Sequence, residues 1–354
     1  MRILITGVCG FVGSQLAHEL KRRFQDADLI GIDNLIRRGS ETNIDSLKRL
    51  GCTFQHGDVR NAEDLAEIAR CDWVIDCAAN PSVLAGVDGG TGQLVAHNLG
   101  GTLNILEKCR RDGAGLLILS SSRVYSIDQL DAIPLVEQAS RFVVGGDRAL
   151  PAGFSARGVS ESFSTAAPIS LYGASKLASE VMALEYGAAF DFPVWIDRCG
   201  VIAGAGQFGK IDQGIFSFWI YQWMQRRPLS YIGFGGKGLQ VRDLIAPRDL
   251  ANLIELQLRK PNAPVPRVVN VGGGEARSMS LRELSDFCAR EIGPALEPTA
   301  VPTTRRYDVP LFVTDSSLAE KSWGWAATES RDDTLLAIAR WARDHKDLLI
   351  AFMT

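Results

Sequence analysis

A glycine-rich loop after the first apolar segment is the feature that most constrains how this 354-residue chain folds. The run Arg2–Thr6 passes into three glycines spaced three residues apart, Gly7, Gly10 and Gly13, and then into a helical pattern. In such a loop the first glycine permits a sharp turn, the second a close approach to a pyrophosphate, and the third tight packing of the helix. The helix N-terminus then favours negative charge. The pattern predicts a dinucleotide site, and an ordinary glycine-rich turn is the alternative.

An acidic residue at the end of the next apolar run supports this interpretation. Asp33 lies 20 residues after Gly13 and ends the run Leu29–Ile32. A carboxylate at that place can bond both hydroxyls of an adenosine ribose, and it repels a 2′-phosphate, which favours NAD over NADP. NADP is the alternative, because Arg37 and Arg38 follow closely in the sequence.

Composition and charge narrow the class of protein. Hydrophobic residues make up 46% of the chain, charged residues 22%, and the net charge is −3, so we expect a globular protein with neither nucleic-acid nor membrane partners. No apolar run approaches the roughly 20 residues of a membrane span. The 7 cysteines lack metal-ligand spacing, and no signal peptide precedes the first strand, which predicts a cytoplasmic protein with reduced thiols and no bound metal.

Strands and helical patterns alternate over the first half of the chain, which is typical of a doubly wound α/β fold. Because the strands are apolar throughout, we expect a Rossmann-type parallel sheet with helices on both faces. The predicted strands of this half are 2–6, 28–32, 53–56, 73–77, 116–120 and 193–197. Helical patterns lie near residues 11–24, 42–50, 61–70, 92–111 and 170–189.

A change of pattern near residue 200 predicts a smaller C-terminal lobe. We expect residues 1–198 to form an NAD-binding Rossmann lobe to which residues 237–255 return, and residues 199–236 and 256–354 to form a substrate-binding lobe. The segment Ser126–Pro168 has little periodicity. Loops of this length are commonly lids or binding loops, and a disordered excursion is the alternative.

A tyrosine and a lysine one helical turn apart indicate the chemistry. Tyr172 and Lys176 share a helix face at positions i and i+4. A lysine ammonium can favour the phenolate of a tyrosine, which is otherwise a poor base at neutral pH, and can bond a nicotinamide ribose. A surface pair is the alternative for this motif alone. Upstream, an apolar strand ends in Ser120–Ser122, at the sheet edge where ligands bind. Capping of the strand end is the alternative role for each serine.

Together these motifs resemble the extended short-chain dehydrogenase/reductases, in particular the NAD-dependent nucleotide-sugar epimerases and dehydratases. The matching segments are Thr6–Gly13, Asp33–Leu35, Gly57–Arg60, Ala78–Ala79, Asn98–Thr102, Ser120–Tyr125, Tyr172–Lys176, Gly238–Asp243 and Asn270–Gly272. The resemblance implies NAD as cofactor and a nucleotide-diphosphate sugar as substrate. It also implies a homodimer or homotetramer that pairs helices 92–111 and 170–189 across a two-fold axis.

The resemblance implies a role for each matching residue. The implied catalytic residues are Ser121, Tyr172 as base, and Lys176 as its partner. The implied cofactor-binding residues are Gly7, Gly10, Phe11, Val12, Gly13, Asp33, Asn34, Asp58, Val59, Ala78, Ala79, Asn98, Tyr172 and Lys176. The implied substrate-binding residues are Ser122, Gln207, Gln213, Arg242 and Arg305, of which the two arginines bind the diphosphate. Arg306 is an alternative to Arg305.

The residues between Ser121 and Tyr125 favour epimerisation over dehydration. Similar dehydratases carry an Asp-Glu pair there as acid and base, whereas this chain has Ser122 and Arg123. An epimerase needs only the serine, tyrosine and lysine set together with a hydride acceptor.

Within the epimerases the resemblance extends to the CDP-tyvelose (CDP-paratose) 2-epimerases. It rests on Cys9 between the glycines and on the segments Asp33–Gly39 and Gln207–Gly214. It implies reaction at C2 of a CDP-deoxyhexose through a transient keto-sugar. The alternatives are a nucleotide-sugar 4-epimerase, a 4-keto reductase, and a non-enzymatic dinucleotide-binding sensor or scaffold.

Overall fold

The computed structural model describes residues 1–87, 89–210 and 213–352. The strands, in chain order, are β1 (Arg2–Thr6), β2 (Asp28–Asp33), β3 (Thr53–His56), β4 (Trp73–Asp76), β5 (Gly115–Ser121), β6 (Leu135–Glu137), β7 (Phe142–Val144), β8 (Phe154–Ser155), β9 (Gly158–Val159), β10 (Val194–Cys199), β11 (Val201–Ile202), β12 (Ser230–Ile232), β13 (Val241–Ile245), β14 (Val268–Val271), β15 (Ser278–Ser280), β16 (Thr299–Val301) and β17 (Leu311–Phe312). The α-helices are α1 (Phe11–Arg23), α2 (Ile44–Arg49), α3 (Ala62–Ala66), α4 (Thr91–Val95), α5 (Gly101–Asp112), α6 (Ile127–Asp131), α7 (Ser170–Phe190), α8 (Ile215–Met224), α9 (Pro247–Arg259), α10 (Leu281–Glu291), α11 (Ser317–Trp323), α12 (Arg331–Asp344) and α13 (Lys346–Phe352).

A seven-stranded parallel sheet forms the centre of the molecule, in the order β3-β2-β1-β4-β5-β10-β14. The sequence order reverses between β1 and β4, and ligands bind outside the carboxyl ends of the strands at such a point. The predicted doubly wound Rossmann-type fold is therefore confirmed.

Alternate residues of each strand belong to two cores, because successive side chains point to opposite faces. On β1, Ile3 and Ile5 pack in the core that contains α1 and α9, while Leu4 packs in the core that contains α5 and α7. Helices therefore cover both faces, which explains why the strands carry no polar face.

The second half of the chain builds a smaller assembly from a four-stranded sheet (β11, β13, β15 and β17) and the aromatic helix α8. Phe216, Trp219 and Trp223 of that helix lie in its core. One part of the predicted lobe assignment differs: β14 lies in the large sheet beside β10, although residues 256–354 were assigned to the smaller lobe. The local sequence of neither strand predicts that β14 pairs with β10, because this pairing depends on the tertiary fold.

The segment Ser126–Pro168 is folded against the body of the protein. It contains α6 and two hairpins, β6–β7 and β8–β9, and its Phe154, Val159 and Phe163 share a core with Tyr125 and Phe312. Val159 also donates its backbone N–H to the Val313 carbonyl at 2.8 Å. The segment lines neither of the two large cavities described below, but its Ile127 and Leu130 line a small pocket together with Ser122, so the expectation of a binding loop stays a prediction. The alternative of a disordered excursion is wrong, because buried apolar side chains give the segment a core.

Two searches of the described residues bear on the class of protein. Within them, no helix has both the length and the apolar character needed to cross a membrane. The same part of the chain brings together no group of three or more histidine, cysteine, aspartate or glutamate side chains arranged to hold a metal ion.

Candidate active site

The glycine loop joins β1 to α1 in a cradle that side chains would fill. Gly7 has φ +61°, a left-handed conformation that favours glycine. A Cβ at Gly13 would lie 2.3 Å from the Gly7 carbonyl oxygen and 2.8 Å from the Val8 Cα. The start of α1 therefore packs directly on the backbone of the loop, and its first N–H groups point to where a phosphate binds in such folds.

Asp33 ties this loop to the end of β2. Its carboxylate accepts the Cys9 N–H at 2.9 Å and the Leu35 N–H at 2.8 Å. Burial raises the pKa of Asp33, and these backbone hydrogen bonds oppose the rise. A carboxylate has about four acceptor positions, so it can bond ribose hydroxyls as well.

A cavity of about 250 Å³ lies along the carboxyl ends of β1, β2 and β4. Of the residues predicted to bind cofactor, those that line it are Gly7, Gly10, Phe11, Val12, Gly13, Asp33, Asn34, Val59, Ala78 and Ala79. The structure thus brings most of the predicted cofactor-binding set to one wall, as the fold requires.

Asp58 has other partners. Its carboxylate accepts hydrogen bonds from the Arg60 guanidinium at 2.6 and 2.9 Å and from the Asn34 side-chain amide at 2.8 Å. The Arg60 bond is the main reason that the pKa of Asp58 falls well below its ordinary value. Asp58 is not among the residues that line the cavity, whereas its neighbours Gly57 and Val59 are.

Tyr172 and Lys176 lie in the first two turns of α7, and both are buried. The Lys176 ammonium donates to the Leu119 carbonyl of β5 at 3.0 Å. Among the residues that the structure describes, none makes a hydrogen bond to the Tyr172 hydroxyl. An ammonium has three donors, so two remain for other acceptors beside the tyrosine.

The helix approaches the end of β5 closely, because a glycine follows the tyrosine. A Cβ at Gly173 would lie 2.1 Å from the Arg123 carbonyl oxygen. Arg123 belongs to a 3₁₀ turn, Ser122–Val124, that follows directly after β5. Tyr172 is therefore held next to the turn that begins at Ser121.

The three serines at the end of β5 have different surroundings. Ser120 donates to the Glu180 carboxylate, whereas Ser121 accepts the Arg123 N–H at 3.1 Å and so caps the turn. Ser122 lines a small pocket that Arg123 and Arg242 also line. Capping and the predicted catalytic role thus fall on the same residue, and Ser121 still has its own O–H to donate.

Asn98 lies in a π-helical turn, Ala96–Gly100, that interrupts the predicted helix 92–111 between α4 and α5. Its side-chain oxygen accepts the Asn80 N–H at 2.8 Å, and its amide donates to the Ser175 hydroxyl at 3.0 Å. Such turns often lie at functional sites. The Asn98 side chain thus joins the loop after β4 to the helix that carries Tyr172.

A second cavity, also of about 250 Å³, lies against the smaller assembly. Arg242 and Arg305 both line it, as predicted, and Arg242 forms an ion pair with Asp308 at 2.8 Å. Burial lowers the pKa of Arg242 to about 10; Asp308 opposes this and Arg123 adds to it. The guanidinium stays charged at neutral pH. Arg123 and Arg306 line the same cavity, so it suits an anionic ligand.

The two predicted glutamines lie between the cavities. Gln213 lines both, and its side-chain oxygen accepts from Arg37 at 2.6 Å. Gln207 lines the cofactor cavity, but its amide donates to the Ile202 carbonyl at 3.2 Å and accepts from Ser217 at 2.9 Å. Within the predicted segment Gln207–Gly214, residues 211 and 212 lie outside the described residues.

Comparison with known proteins agrees with this geometry. The profile of the NAD dependent epimerase/dehydratase family matches residues 3–272. The chain belongs to that family. It is 29% identical to a CDP-paratose 2-epimerase of Salmonella typhi, over 96% of this chain and 99% of the relative. It is 25% identical to a UDP-glucuronate 4-epimerase of Thermodesulfobacterium geofontis, over 98% and 97%.

A solved structure gives the same result. A UDP-glucuronic acid 4-epimerase from Bacillus cereus, in complex with UDP-glucuronic acid and NAD, has a TM-score of 0.74 at 25% identity, with 97% of this chain and 99% of that chain covered. The family resemblance seen in the motifs is confirmed, and NAD is the cofactor of this family member.

The residues of the first cavity fit NAD. A Cβ at Gly7 or Gly13 would meet protein backbone, so the start of α1 lies close to the loop, where its N–H groups can receive a pyrophosphate, and Asp33 lies at the end of β2. The guanidinium of Arg37 bonds Gln213 and the Phe208 carbonyl, and that of Arg38 bonds the Ala351 carbonyl at 2.6 Å. Both arginines also line the cavity, so it is the carboxylate of Asp33, which repels a 2′-phosphate, that disfavours the NADP alternative.

Sequence reasoning missed two parts of the site. It named Arg123 only because similar dehydratases carry an acidic residue at that position. An arginine so close to Ser121 was a signal for an anion-binding role. It also missed Glu180 and Arg198, which form a buried ion pair at 2.6 Å behind the end of β5. Glu180 lies four residues after Lys176, and that helical spacing was the available signal.

Proposed function

We propose that this protein is a nucleotide-sugar epimerase that inverts C2 of a CDP-deoxyhexose through a transient keto-sugar. One observation carries the proposal: the Tyr172 hydroxyl has no hydrogen-bond partner among the described residues, while Lys176 lies one turn away and Gly173 holds the helix against the Ser121 turn. A base without a protein partner beside a lysine is free to bond a substrate hydroxyl.

The proposed roles follow from these positions. Tyr172, as phenolate, takes the proton of the C2 hydroxyl, and Lys176 stabilises the phenolate and bonds the nicotinamide ribose. Ser121 donates its O–H to the same sugar oxygen. NAD, when bound in the first cavity, would supply the hydride acceptor and donor for C2, and inversion requires that the keto-sugar turn its other face before the hydride is returned. Tyr172 then returns the proton to the oxygen, so no net oxidation occurs.

Binding energy in this mechanism comes from the nucleotide diphosphate, since the sugar must remain free to turn. Arg242 and Arg305 line the second cavity and suit the diphosphate. Ser122 and Gln213 border the sugar, and those predicted cofactor residues that line the first cavity hold NAD there. The nucleotide diphosphate thus supplies the binding energy, and the sugar undergoes the reaction.

The relatives support two members of the same reaction class. The match to the CDP-paratose 2-epimerase over almost the full length of both chains favours C2. The UDP-glucuronate 4-epimerases favour C4 as the second candidate, since they too match over the full length. Both reactions use the same proton and hydride transfers. They differ in the sugar carbon that lies against the nicotinamide, which is C2 in one reaction and C4 in the other.

Product stereochemistry tests the proposal. The protein, loaded with NAD⁺, is incubated separately with CDP-paratose, UDP-glucuronic acid and UDP-glucose, and the products are followed by NMR. We expect inversion at C2 of the CDP sugar, with a C2 deuterium label retained in the product and no net NADH formed. Inversion at C4 identifies a 4-epimerase. In a parallel reaction with a nucleotide 4-keto-sugar, stoichiometric consumption of added NADH identifies a keto reductase, and no turnover in any of these reactions identifies the sensor or scaffold.

We further propose a homodimer formed through α4, α5 and α7. On these helices Leu94 and Leu106 are buried within the chain, whereas Val181 is exposed. Val95 and Leu171 are also exposed. Light scattering of Val181→Asp tests it: we expect a shift toward monomer relative to the wild type, and an unchanged mass contradicts the interface.

A further inference from the structure

Three contacts along one face of α7 fasten the catalytic helix to the end of β5. Gly173 packs against the Arg123 carbonyl, Lys176 donates to the Leu119 carbonyl, and Glu180 accepts from the Ser120 hydroxyl. The helix residues are three and four positions apart, so they lie on one face. The strand-end residues that they reach lie on both sides of Ser121.

The third contact is part of a buried ion pair. The Glu180 and Arg198 side chains are 2% and 10% exposed, and the Arg198 guanidinium donates to both Glu180 oxygens at 2.6 to 3.1 Å. A buried carboxylate is costly unless it is paired and hydrogen-bonded. With Arg198 on one side and Ser120 on the other, Glu180 meets that condition.

The same arginine also reaches the other side of Ser121. The Arg198 guanidinium donates to the Tyr125 hydroxyl at 3.3 Å and lies 5.3 Å from the centre of its ring. Tyr125 in turn donates to the Asn270 side-chain oxygen of β14 at 2.6 Å. One ion pair therefore holds Ser120 before Ser121 and Tyr125 after it.

We infer that Glu180 and Arg198 are positioning residues that fix the Ser121 hydroxyl relative to Tyr172. The inference rests on the proposed roles of Ser121 and Tyr172. Neither positioning residue touches the reacting sugar; the pair acts through Ser120 and Tyr125. Because transition-state geometry is sensitive to displacements of about 1 Å, loosening the strand end slows the chemical step more than it weakens substrate binding.

Ser120→Ala tests this, since Glu180 keeps its bonds to Arg198 and the fold is expected to survive. We expect kcat to fall about tenfold with KM changed less than about twofold. The matched control is Ser179→Ala, which also removes a buried hydroxyl at the same helix, one that bonds the Asn98 carbonyl and Thr102. We expect Ser179→Ala to lower Tm while kcat stays within about twofold of the wild type.

Tyr125→Phe provides a second variant, because it removes the hydroxyl and retains the ring over Arg198. We expect kcat to fall about threefold, again without a change in KM. Equal kcat values for Ser120→Ala, Tyr125→Phe and Ser179→Ala, or losses confined to KM or Tm, overturn the positioning role. An inactive wild type on every nucleotide sugar overturns the proposed function instead, so the two failures are distinguishable.

Discussion

The two cavities of this protein are built by different means. The cofactor cavity lies beside the glycine loop at the ends of neighbouring strands, and its most constrained positions, Gly7 and Gly13, are ones where a side chain does not fit. The substrate cavity depends on charged side chains, including Arg123, Arg242 and Arg305, that arrive from distant parts of the sequence. The geometry of the glycine loop is determined by neighbouring residues in the sequence, and binding there is expected to weaken when a side chain is added. The arginine cluster is brought together by the tertiary fold, and binding there is expected to weaken when a side chain is removed.

The largest effect is expected at the side chain that is proposed to transfer the proton. Tyr172→Phe removes the proposed base and keeps the ring, so kcat is expected to fall by about 10³-fold, within the range for a lost general base. The measurement is turnover of the nucleotide sugar by NMR, with NAD and nucleotide binding followed by calorimetry. Both ligands are expected to bind as in the wild type, and turnover near the wild-type rate removes Tyr172 from the mechanism.

The second prediction concerns the stability of the large sheet at Asp197, which lines neither cavity. Burial raises the pKa of Asp197 on β10 to about 7, although Gln257 donates to it at 2.8 Å. An unfolded aspartate titrates near 3.9, so the folded protein binds this proton more tightly, and its stability falls as pH rises from about 4 through 7. One Asp197 oxygen and the Gln257 oxygen have no partner among the described residues.

Asp197→Asn copies the protonated acid and can bond both atoms of Gln257. We expect its free energy of unfolding to exceed that of the wild type by about 2 to 4 kcal/mol near pH 8.5, and to match it near pH 4. Urea denaturation at a series of pH values measures this. Wild-type and variant curves that run parallel across the whole pH range contradict the assignment.

Adding one carbon tests the backbone cradle. In Gly13→Ala the new Cβ meets the Gly7 carbonyl oxygen at 2.3 Å, so the start of α1 must move. We expect the free energy of unfolding to fall by about 1 to 3 kcal/mol, as for overpacking, and NAD affinity to fall as well, with calorimetry of the NAD-free protein as the measurement of affinity. The matched control is Gly92→Ala in α4, where a Cβ meets nothing within 4 Å. If both variants bind NAD equally, the cradle is not as tight as described.

Removing one cation tests the charged cluster. Arg242→Met is expected to weaken binding of CDP about tenfold, since a hydrogen bond to a charged group contributes about 1.5 to 3 kcal/mol and the neighbouring arginines remain. NAD affinity is expected to stay unchanged, which sharpens the contrast with Gly13→Ala. Arg157→Met, at an exposed ion pair outside both cavities, is the control. Equal loss of NAD and CDP affinity contradicts the separation of the two cavities.

The same contrast explains how far the sequence predicts the structure. Apolar runs predict the inner strands of the large sheet to within a residue or two, as in 28–32 against the observed Asp28–Asp33, because most residues of these runs are buried. The glycine spacing predicts the cofactor cradle because its geometry is local. Motif resemblance also places Tyr172 and Lys176 on one helix beside the end of β5.

Other features depend on contacts that no local pattern records. The helix predicted over 92–111 contains a π-helical turn, in which Asn98 bonds the distant Asn80 and Ser175. The hairpins of 126–168 are stabilised by packing against residues near 312. The Glu180–Arg198 pair joins a helix to a strand through the interior. Each arises from tertiary packing, which sequence periodicity does not encode.

Helix α7 has two working sides. Its inner side carries Tyr172, Lys176 and Glu180, whereas Leu171 and Val181 on the same helix are 38% and 54% exposed. A second copy of the chain packed on the outer side would therefore contact the same helix that positions the proposed base, Tyr172. Turnover per chain would then change on dilution, as copies dissociate, while the chain stays folded. The association of copies and the rate of the reaction would both depend on α7.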